Sequence, residues 1–429
     1  MLELLPPPPT DPLWDLTAEF AADERPERLN LVLGVYRDAA GRTPVMAAVR
    51  EAEIRLAERS ASKEYRGLSG NTAFNRALVE MVLGSEGSGG PAGRAAAVQT
   101  VAGSGALRLL ADLVCRTRPG TTVWISDPAY VNHRPILEAA GLRVRPYGWV
   151  DADGGFDAAG VLRELSGVRR DDVVLLQGCC HNPTGVDPSP QDWAALAELA
   201  VRDGWVPFVD LAYHGLGGGL EADLAATRML AARVPEMLIA VSCSKNFGLY
   251  SDRTGCAIVL GASGQAVRHA ETTLQNAART LYSMPPEHGA AVVTTILEDE
   301  RLSALWRAEL DVMRGRIAAN RTDLTAHLSA LGCEVQARSL ARQKGMFSML
   351  PLSAEQMLRL RRQFAIYGTT SGRINIAGIP AHRIPFLAQG IAAVLGTGSG
   401  ASADAVAAAG ADTGDGARAR QSPAVSSMP

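Results

Sequence analysis

Met237-Leu238-Ile239-Ala240-Val241, followed by Ser242-Cys243-Ser244-Lys245-Asn246-Phe247-Gly248-Leu249-Tyr250, is an apolar run that stops at small hydroxyl side chains and a lysine. Such a run predicts a strand inside a covered sheet. The pattern recurs upstream. Ala95-Ala96-Ala97-Val98-Gln99 leads into a helical pattern from Ser104 to Arg116, and Val123-Trp124-Ile125 into one from Tyr130 to Ala140. Val173-Val174-Leu175-Leu176 leads into Pro190 to Asp203, and Pro207-Phe208-Val209-Asp210 continues the series. This alternation between Ala95 and Leu260 predicts an α/β fold, a mostly parallel sheet flanked by helices. Sheets of that kind hold ligands at the carboxyl ends of their strands. Asn182, Asp210 and Lys245 each fall just after one of the runs.

Outward from that core the pattern changes. A long helical stretch from Leu302 to Leu331 is followed by short strand-like segments, Gly345-Met346-Phe347-Ser348 and Arg373-Ile374-Asn375-Ile376, mixed with helices. These predict a smaller α+β domain, joined by the early segment Leu29 to Val35 ahead of a helix from Val45 to Arg59. The expected organisation is an N-terminal arm (1–15), a small domain (16–44 and 313–395), a large domain (45–312) and a tail (396–429). The tail is rich in Gly, Ala, Ser and Asp and is expected to be disordered, since it has little apolar surface to offset its ordering entropy. Gly396 to Ala401 satisfies a loose dinucleotide fingerprint, but no strand-helix-strand unit follows it.

At 429 residues, two domains are the default for the chain. A hydrophobic fraction of 47%, a charged fraction of 20% and a formal charge of -3 describe an ordinary soluble protein and point to neither nucleic acid nor an acidic membrane surface. The six cysteines show no paired CxxC spacing, which suits a reducing cytoplasm. The start, Met1-Leu2-Glu3-Leu4-Leu5 before Pro6 to Pro9, lacks the form of a signal peptide, and no stretch is apolar for long enough to span a bilayer. A soluble, unprocessed protein is the expectation.

Lys245, with Arg253 at the end of the same loop, has the makings of a site for pyridoxal phosphate, the lysine amine forming a Schiff base with the aldehyde. The bland reading is a surface lysine in a turn. Asp210 at the end of an apolar run needs a cation to neutralise it, and a pyridinium nitrogen is one; a helix cap is the alternative. Tyr213 and Asn182, the latter in His181-Asn182-Pro183-Thr184-Gly185, stand where they could donate to a cofactor phenolate, although Asn-Pro-Thr-Gly is also a good turn. Gly103-Ser104-Gly105-Ala106 between strand and helix offers backbone N–H groups and a helix dipole to a phosphate, and is no Walker loop. Arg253 would complete that cradle as a planar fork. Arg373 in Ser371-Gly372-Arg373 reads as a carboxylate clamp or a rim salt bridge, and Arg279 as a second carboxylate anchor or a solvated helix-end charge. Adjacent Cys179 and Cys180 read as core packing, and no metal site is expected.

Taken together, Asp23-Glu24-Arg25-Pro26, Asn30-Leu31 with Gly34-Val35-Tyr36, Gly178-Cys179-Cys180-His181-Asn182-Pro183-Thr184-Gly185, Ser244-Lys245-Asn246-Phe247-Gly248-Leu249-Tyr250 and Ser371-Gly372-Arg373 resemble, in order, the motifs of the aspartate/aromatic aminotransferases. That family is the class I branch of the fold-type-I pyridoxal-phosphate-dependent enzymes, and the likeness runs from about Asp11 to Leu395. The resemblance implies a homodimer with shared active sites, amino acid and 2-oxo acid substrates, and ping-pong transamination. It implies that Asp210 pairs with the ring nitrogen, backed by His133, and that Gly103, Ser104, Ser242, Ser244 and Arg253 hold the phosphate with Tyr65 of the partner subunit. Arg373 would take the substrate α-carboxylate, helped by Asn182 and the backbone near Gly34. Arg279 would reach across the dimer to a side-chain carboxylate, favouring dicarboxylic substrates, while aromatic ones stay open because that arginine swings away in some members.

Two positions depart from the family pattern. Tyr130 stands where a tryptophan usually stacks on the cofactor ring, and Gln177 where a histidine is common. A smaller, hydroxylated ring alters stacking, volume and substrate contacts. These departures keep open a lyase or a β- or γ-replacement enzyme on the same scaffold. A non-catalytic regulator is the other alternative, and it would need a DNA-reading module for which the short Pro-rich start leaves no room.

Overall fold

The computed structural model describes residues 2–5, 11–59, 62–84 and 91–396. The tail from 397 to 429, expected to be disordered, lies outside the described residues.

Eleven strands occur among the described residues. They are β1 (Leu29–Asn30), β2 (Ala95–Val101), β3 (Thr122–Asp127), β4 (Arg143–Gly148), β5 (Val173–Gln177), β6 (Val206–Leu211), β7 (Met237–Ser242), β8 (Thr254–Leu260), β9 (Phe347–Met349), β10 (Ile366–Tyr367) and β11 (Arg373–Asn375). Seven of them form one sheet in the order β2-β8-β7-β6-β5-β3-β4. Every neighbouring pair is parallel except those made by β8, which is antiparallel to both β2 and β7. The sheet is therefore an α/β sheet and mostly parallel. The antiparallel β8 was not legible, because an apolar run carries no sign of its direction.

Burial on both faces explains the unbroken apolar runs. Successive residues alternate between two cores, as the two-residue period of a strand requires. Phe208, Leu238 and Ala257 join one cluster with Leu107 and Leu110 of the helix Ala102–Thr117 and Leu274 of the helix Gly264–Leu281. Val209, Ile239 and Ile258 join the other with Phe74, Leu196 and Leu224 from the helices Thr72–Leu83, Pro190–Asp203 and Leu220–Arg233.

Strand order reverses beside β3, since β4 lies on one side of it and β5 leads away on the other. A crevice at the carboxyl ends of β3, β5, β6 and β7 follows from that reversal. In register, Gln177 lies beside Asp210 and Asp210 beside Ala240, so the ends of the three strands are level.

Two small sheets lie outside this core: β1 pairs in parallel with β10, and β9 antiparallel with β11. The early segment thus finds its partner more than three hundred residues away, beside Ile366 and Tyr367. The long helix runs from Glu300 to Ala330, and a shorter one, Pro12–Ala22, crosses the boundary drawn at residue 15. None of the helices is long and apolar enough to cross a membrane, among the described residues.

Candidate active site

Thirteen of the residues singled out in the sequence divide by position. Gly34, Gly103, Ser104, Tyr130, Asn182, Asp210, Tyr213, Ser242, Ser244, Lys245 and Arg253 all line one cavity of about 340 Å³. His133 and Arg373 stand directly behind its wall. The elements explain the convergence: each polar residue terminates a buried strand or follows it within a few residues, where the backbone leaves the apolar layer.

Behind Asp210, the His133 Nε2–H donates to Oδ2 at 2.8 Å, and both side chains are buried. This pair fixes the carboxylate at the cavity floor. Tyr130 meets the His133 ring edge-on, with centroids 5.2 Å apart. Tyr213 accepts a hydrogen bond from Asn182 Nδ2 at 3.1 Å, and burial raises its phenol above the usual range. Lys245 Nζ lies 5.1 Å from the centre of the Tyr213 ring. Burial lowers the lysine to about 8, and the nearby Asp210 carboxylate opposes that shift. An amine so placed holds a far larger neutral fraction near physiological pH than an ordinary lysine, and the neutral form is the nucleophile.

The side of the cavity lined by Gly103, Ser104, Ser242 and Arg253 is built from segments held together. The helix expected to begin at Ser104 begins instead at Ala102, so Gly103 and Ser104 lie in its first turn and Ser104 is not its cap. Their N–H groups are therefore among those a helix start leaves without partners. Ala102 takes a φ of 56° and donates its N–H to Arg253 O at 2.9 Å, which docks the Arg253 loop on the helix start. A Cβ on Gly103 would sit 3.0 Å from Ser242 Cβ at the end of β7, so a larger residue there would press on that strand end.

At the opposite wall, Arg373 donates to Val32 O at 2.8 Å and weakly to Asn182 Oδ1 at 3.4 Å, and its guanidinium lies 4.5 Å from the Phe347 ring centre. Its Nε is buried without a partner among the described residues, and burial lowers its pKa. A buried guanidinium with no carboxylate against it is set to receive one. Gln177, in place of the family's usual histidine, bridges the backbone N–H and C=O of Asn182 at 2.8 Å each, locking that turn.

Two predicted site residues are not brought to this cavity. Tyr65 is 93% exposed, and Arg279, exposed at the end of its helix, donates to Ser283 Oγ at 2.6 Å. Neither lines the pocket of its own chain. Conversely, the cavity includes Trp14, Leu33, Leu107 and Tyr250, which sequence reasoning passed over. Tyr250 Oη accepts the Tyr36 N–H at 2.9 Å. Trp14 comes from the N-terminal helix, whose docking has no local signature. Cys179, Cys180 and Asp223 bring three potential ligand atoms within 4.8 Å of one another. Both thiols are held above their usual pKa, and Asp223 already accepts N–H bonds from Gly215, Gly217 and Gly218, so the group is poorly suited to a metal. A larger cleft of about 500 Å³ opens at the far end of the sheet, where Val173, Val206 and Leu238 begin or nearly begin their strands, and it contains none of the predicted site residues.

Residues 26–391 match the family model described as aminotransferase class I and II. The chain belongs to that family. This aminotransferase is 41% identical over 398 residues to the aspartate aminotransferase of Escherichia coli (strain K12), covering 92% of the chain and all of that protein. It is 46% identical over 374 residues to the tyrosine aminotransferase of Rhizobium meliloti, covering 86% of the chain and 94% of that protein. Among solved structures, the aromatic-amino-acid aminotransferase of Burkholderia pseudomallei, covalently bound to pyridoxal phosphate, superposes with a TM-score of 0.89 at 37% identity, covering 92% of the chain and 99% of that structure. The fold is accordingly that of the pyridoxal-phosphate-dependent aminotransferases, and this enzyme is a transaminase dependent on that cofactor. A lyase or replacement reaction is not favoured by these relatives, all of which are aminotransferases.

Proposed function

We propose that this aminotransferase moves the amino group of aspartate, an aromatic amino acid or a related donor to a 2-oxo acid such as 2-oxoglutarate, in two half-reactions of a ping-pong cycle. The observation that carries this reading is the buried Lys245 amine, lowered to about 8, in one cavity with Asp210 and Tyr213, behind whose Asn182 stands Arg373 with its Nε unpartnered among the described residues. That donor set fits pyridoxal phosphate: a lysine for the aldehyde, a carboxylate for the ring nitrogen, a phenol and an amide for the phenolate, and a helix start with Ser242, Ser244 and Arg253 for the phosphate. When bound, the cofactor supplies the carbonyl that accepts the amine and a ring that withdraws electrons from the substrate α-carbon.

The chain's own residues do the rest. Arg373 orients the amino acid through its α-carboxylate, with Asn182 beside it. The Lys245 amine, in its neutral form, would be the base that takes the substrate's α-proton. His133 holds the Asp210 carboxylate at the cavity floor, where it would be available to the ring nitrogen of a bound cofactor. Tyr130 packs over the cavity in place of a larger indole, which leaves more room beside the substrate.

In this reading the enzyme is a cytoplasmic homodimer, with Tyr65 and Arg279 serving the site of the partner subunit. The large domain covers residues 45–312, and the small domain 16–44 and 313–395. Pairing of β1 with β10 supports grouping those two segments. The test is incubation of purified enzyme with a panel of amino acids and 2-oxoglutarate. Glutamate should form with aspartate, tyrosine or phenylalanine; release of pyruvate without glutamate from every donor would replace transamination by elimination.

A further inference from the structure

On the helix Glu300–Ala330, Arg314, Arg321 and Thr325 share one face by their spacing of seven and four residues, with Thr322 at its edge. That face forms one wall of a second cavity, about 320 Å³, whose other walls are the Leu216–Gly217 loop and the turn carrying Gln343 and Lys344. The lining includes three cationic side chains and no acidic one. Arg321 is only 7% exposed. Its Nη2 donates to Gly345 O at 2.6 Å and Phe347 O at 3.3 Å, and Nε and Nη2 lie near Ser348 Oγ. These partners are neutral. Among the described residues, Nη1 makes no hydrogen bond and is not one of the sealed, unpartnered atoms, so it reaches the cavity. Thr325 Oγ1, on the same wall, is buried without a partner.

Burying a guanidinium against carbonyls alone leaves its charge uncompensated, which is costly unless an anion is supplied. The protein supplies none here. Arg314 is paired with Asp311 at the rim, while Arg321 and Lys344 form no ion pair among the described residues. The acids that sense Lys344, Asp187 and Asp223, are each engaged with backbone N–H groups and form no ion pair with it among the described residues. A guanidinium edge and an ammonium lining one cavity are donors that a tetrahedral oxyanion takes.

We propose that this cavity binds a phosphate group, free or carried on a small metabolite, between Arg321, Lys344 and Arg314. The site is separate from the catalytic cavity and shares no lining residue with it. Its walls come from the loop that follows Tyr213 and from the segments leading to β9, so an anion here ties together two parts of the chain that flank the catalytic pocket.

The test is calorimetric titration of the cofactor-loaded enzyme, whose own phosphate cradle is filled, with inorganic phosphate at constant ionic strength. A second titration uses glycerol 3-phosphate. The wild type should show saturable binding, weakened at least roughly tenfold in the Arg314→Gln/Lys344→Gln double variant. Those residues are at the cavity rim and outside the catalytic machinery, so the variant should keep its cofactor absorbance and turnover. Arg321 is left intact because it also holds the carbonyls of Gly345 and Phe347. Tighter binding of the ester assigns a phosphorylated metabolite, and equal affinity assigns the free anion. Identical titrations for wild type and double variant, or no saturable binding of either probe, would overturn the proposal.

Discussion

At Lys245 two opposing effects meet: burial disfavours the ammonium, and the Asp210 carboxylate favours it, with burial the larger. The amine is protonated below about 8 and free above it. Only the free amine adds to an aldehyde, so the rate at which cofactor-free enzyme takes up pyridoxal phosphate should climb roughly tenfold per pH unit below that value and level off above it. Stopped-flow absorbance checks this; a rate that goes on climbing well above pH 8 would mean that the carboxylate wins. A Lys245→Ala variant should show no Schiff-base absorbance on adding pyridoxal phosphate and almost no turnover. The lysine, Asp210 and Asn182 were legible because a polar residue ending an apolar run has nowhere to go but the end of a sheet. His133 was legible only through the family resemblance, since the strand order that carries it behind Asp210 is a property of the folded sheet.

Elements position what residues perform, and the contact between the loop after β1 and β9 is the case in point. A Cβ on Gly34 would lie 2.6 Å from Phe347 Cζ, and Gly34 needs no unusual φ, so space alone demands the glycine. The Phe347 ring in turn lies beneath the Arg373 guanidinium and edge-on to Tyr213, at 4.5 and 5.9 Å between centres. Gly34→Ala should therefore push that ring into the carboxylate clamp. Steady-state kinetics should show KM raised by about an order of magnitude for every amino donor, with the cofactor band retained. An unchanged KM would mean that the ring yields without moving the arginine. The large sheet was legible from its runs of Val, Leu and Ile, because burial on both faces writes itself into composition. The short strands β9, β10 and β11 left only faint marks, since two or three residues carry no period, and the pairing of β1 with β10 depends on chain segments far apart. For the same reason Trp14 entered the cavity unannounced: its helix has caps and an apolar face, but the surface it docks on is encoded elsewhere.

On the scale of the whole molecule, Tyr65 and Arg279 bear on the proposed dimer. Both are exposed in the single chain and absent from its cavity, although the family resemblance gives each a role there. A two-fold dimer reconciles these facts, because each subunit can then complete its partner's site. Replacing Arg279 with alanine should weaken aspartate far more than phenylalanine as donor; equal losses would show that the arginine does not read the side-chain carboxylate. Location across the interface is a separate question, and mixing answers it. Let Lys245→Ala and Arg279→Ala subunits be unfolded together in equal amounts and refolded. Half the dimers are hybrids, and if Arg279 acts across the interface each hybrid has one site with both defects and one with none. Aspartate activity should then return to about a quarter of wild type, from parents that have almost none. If Arg279 served its own subunit, each hybrid would carry one site without the lysine and one without the arginine, and mixing would restore nothing.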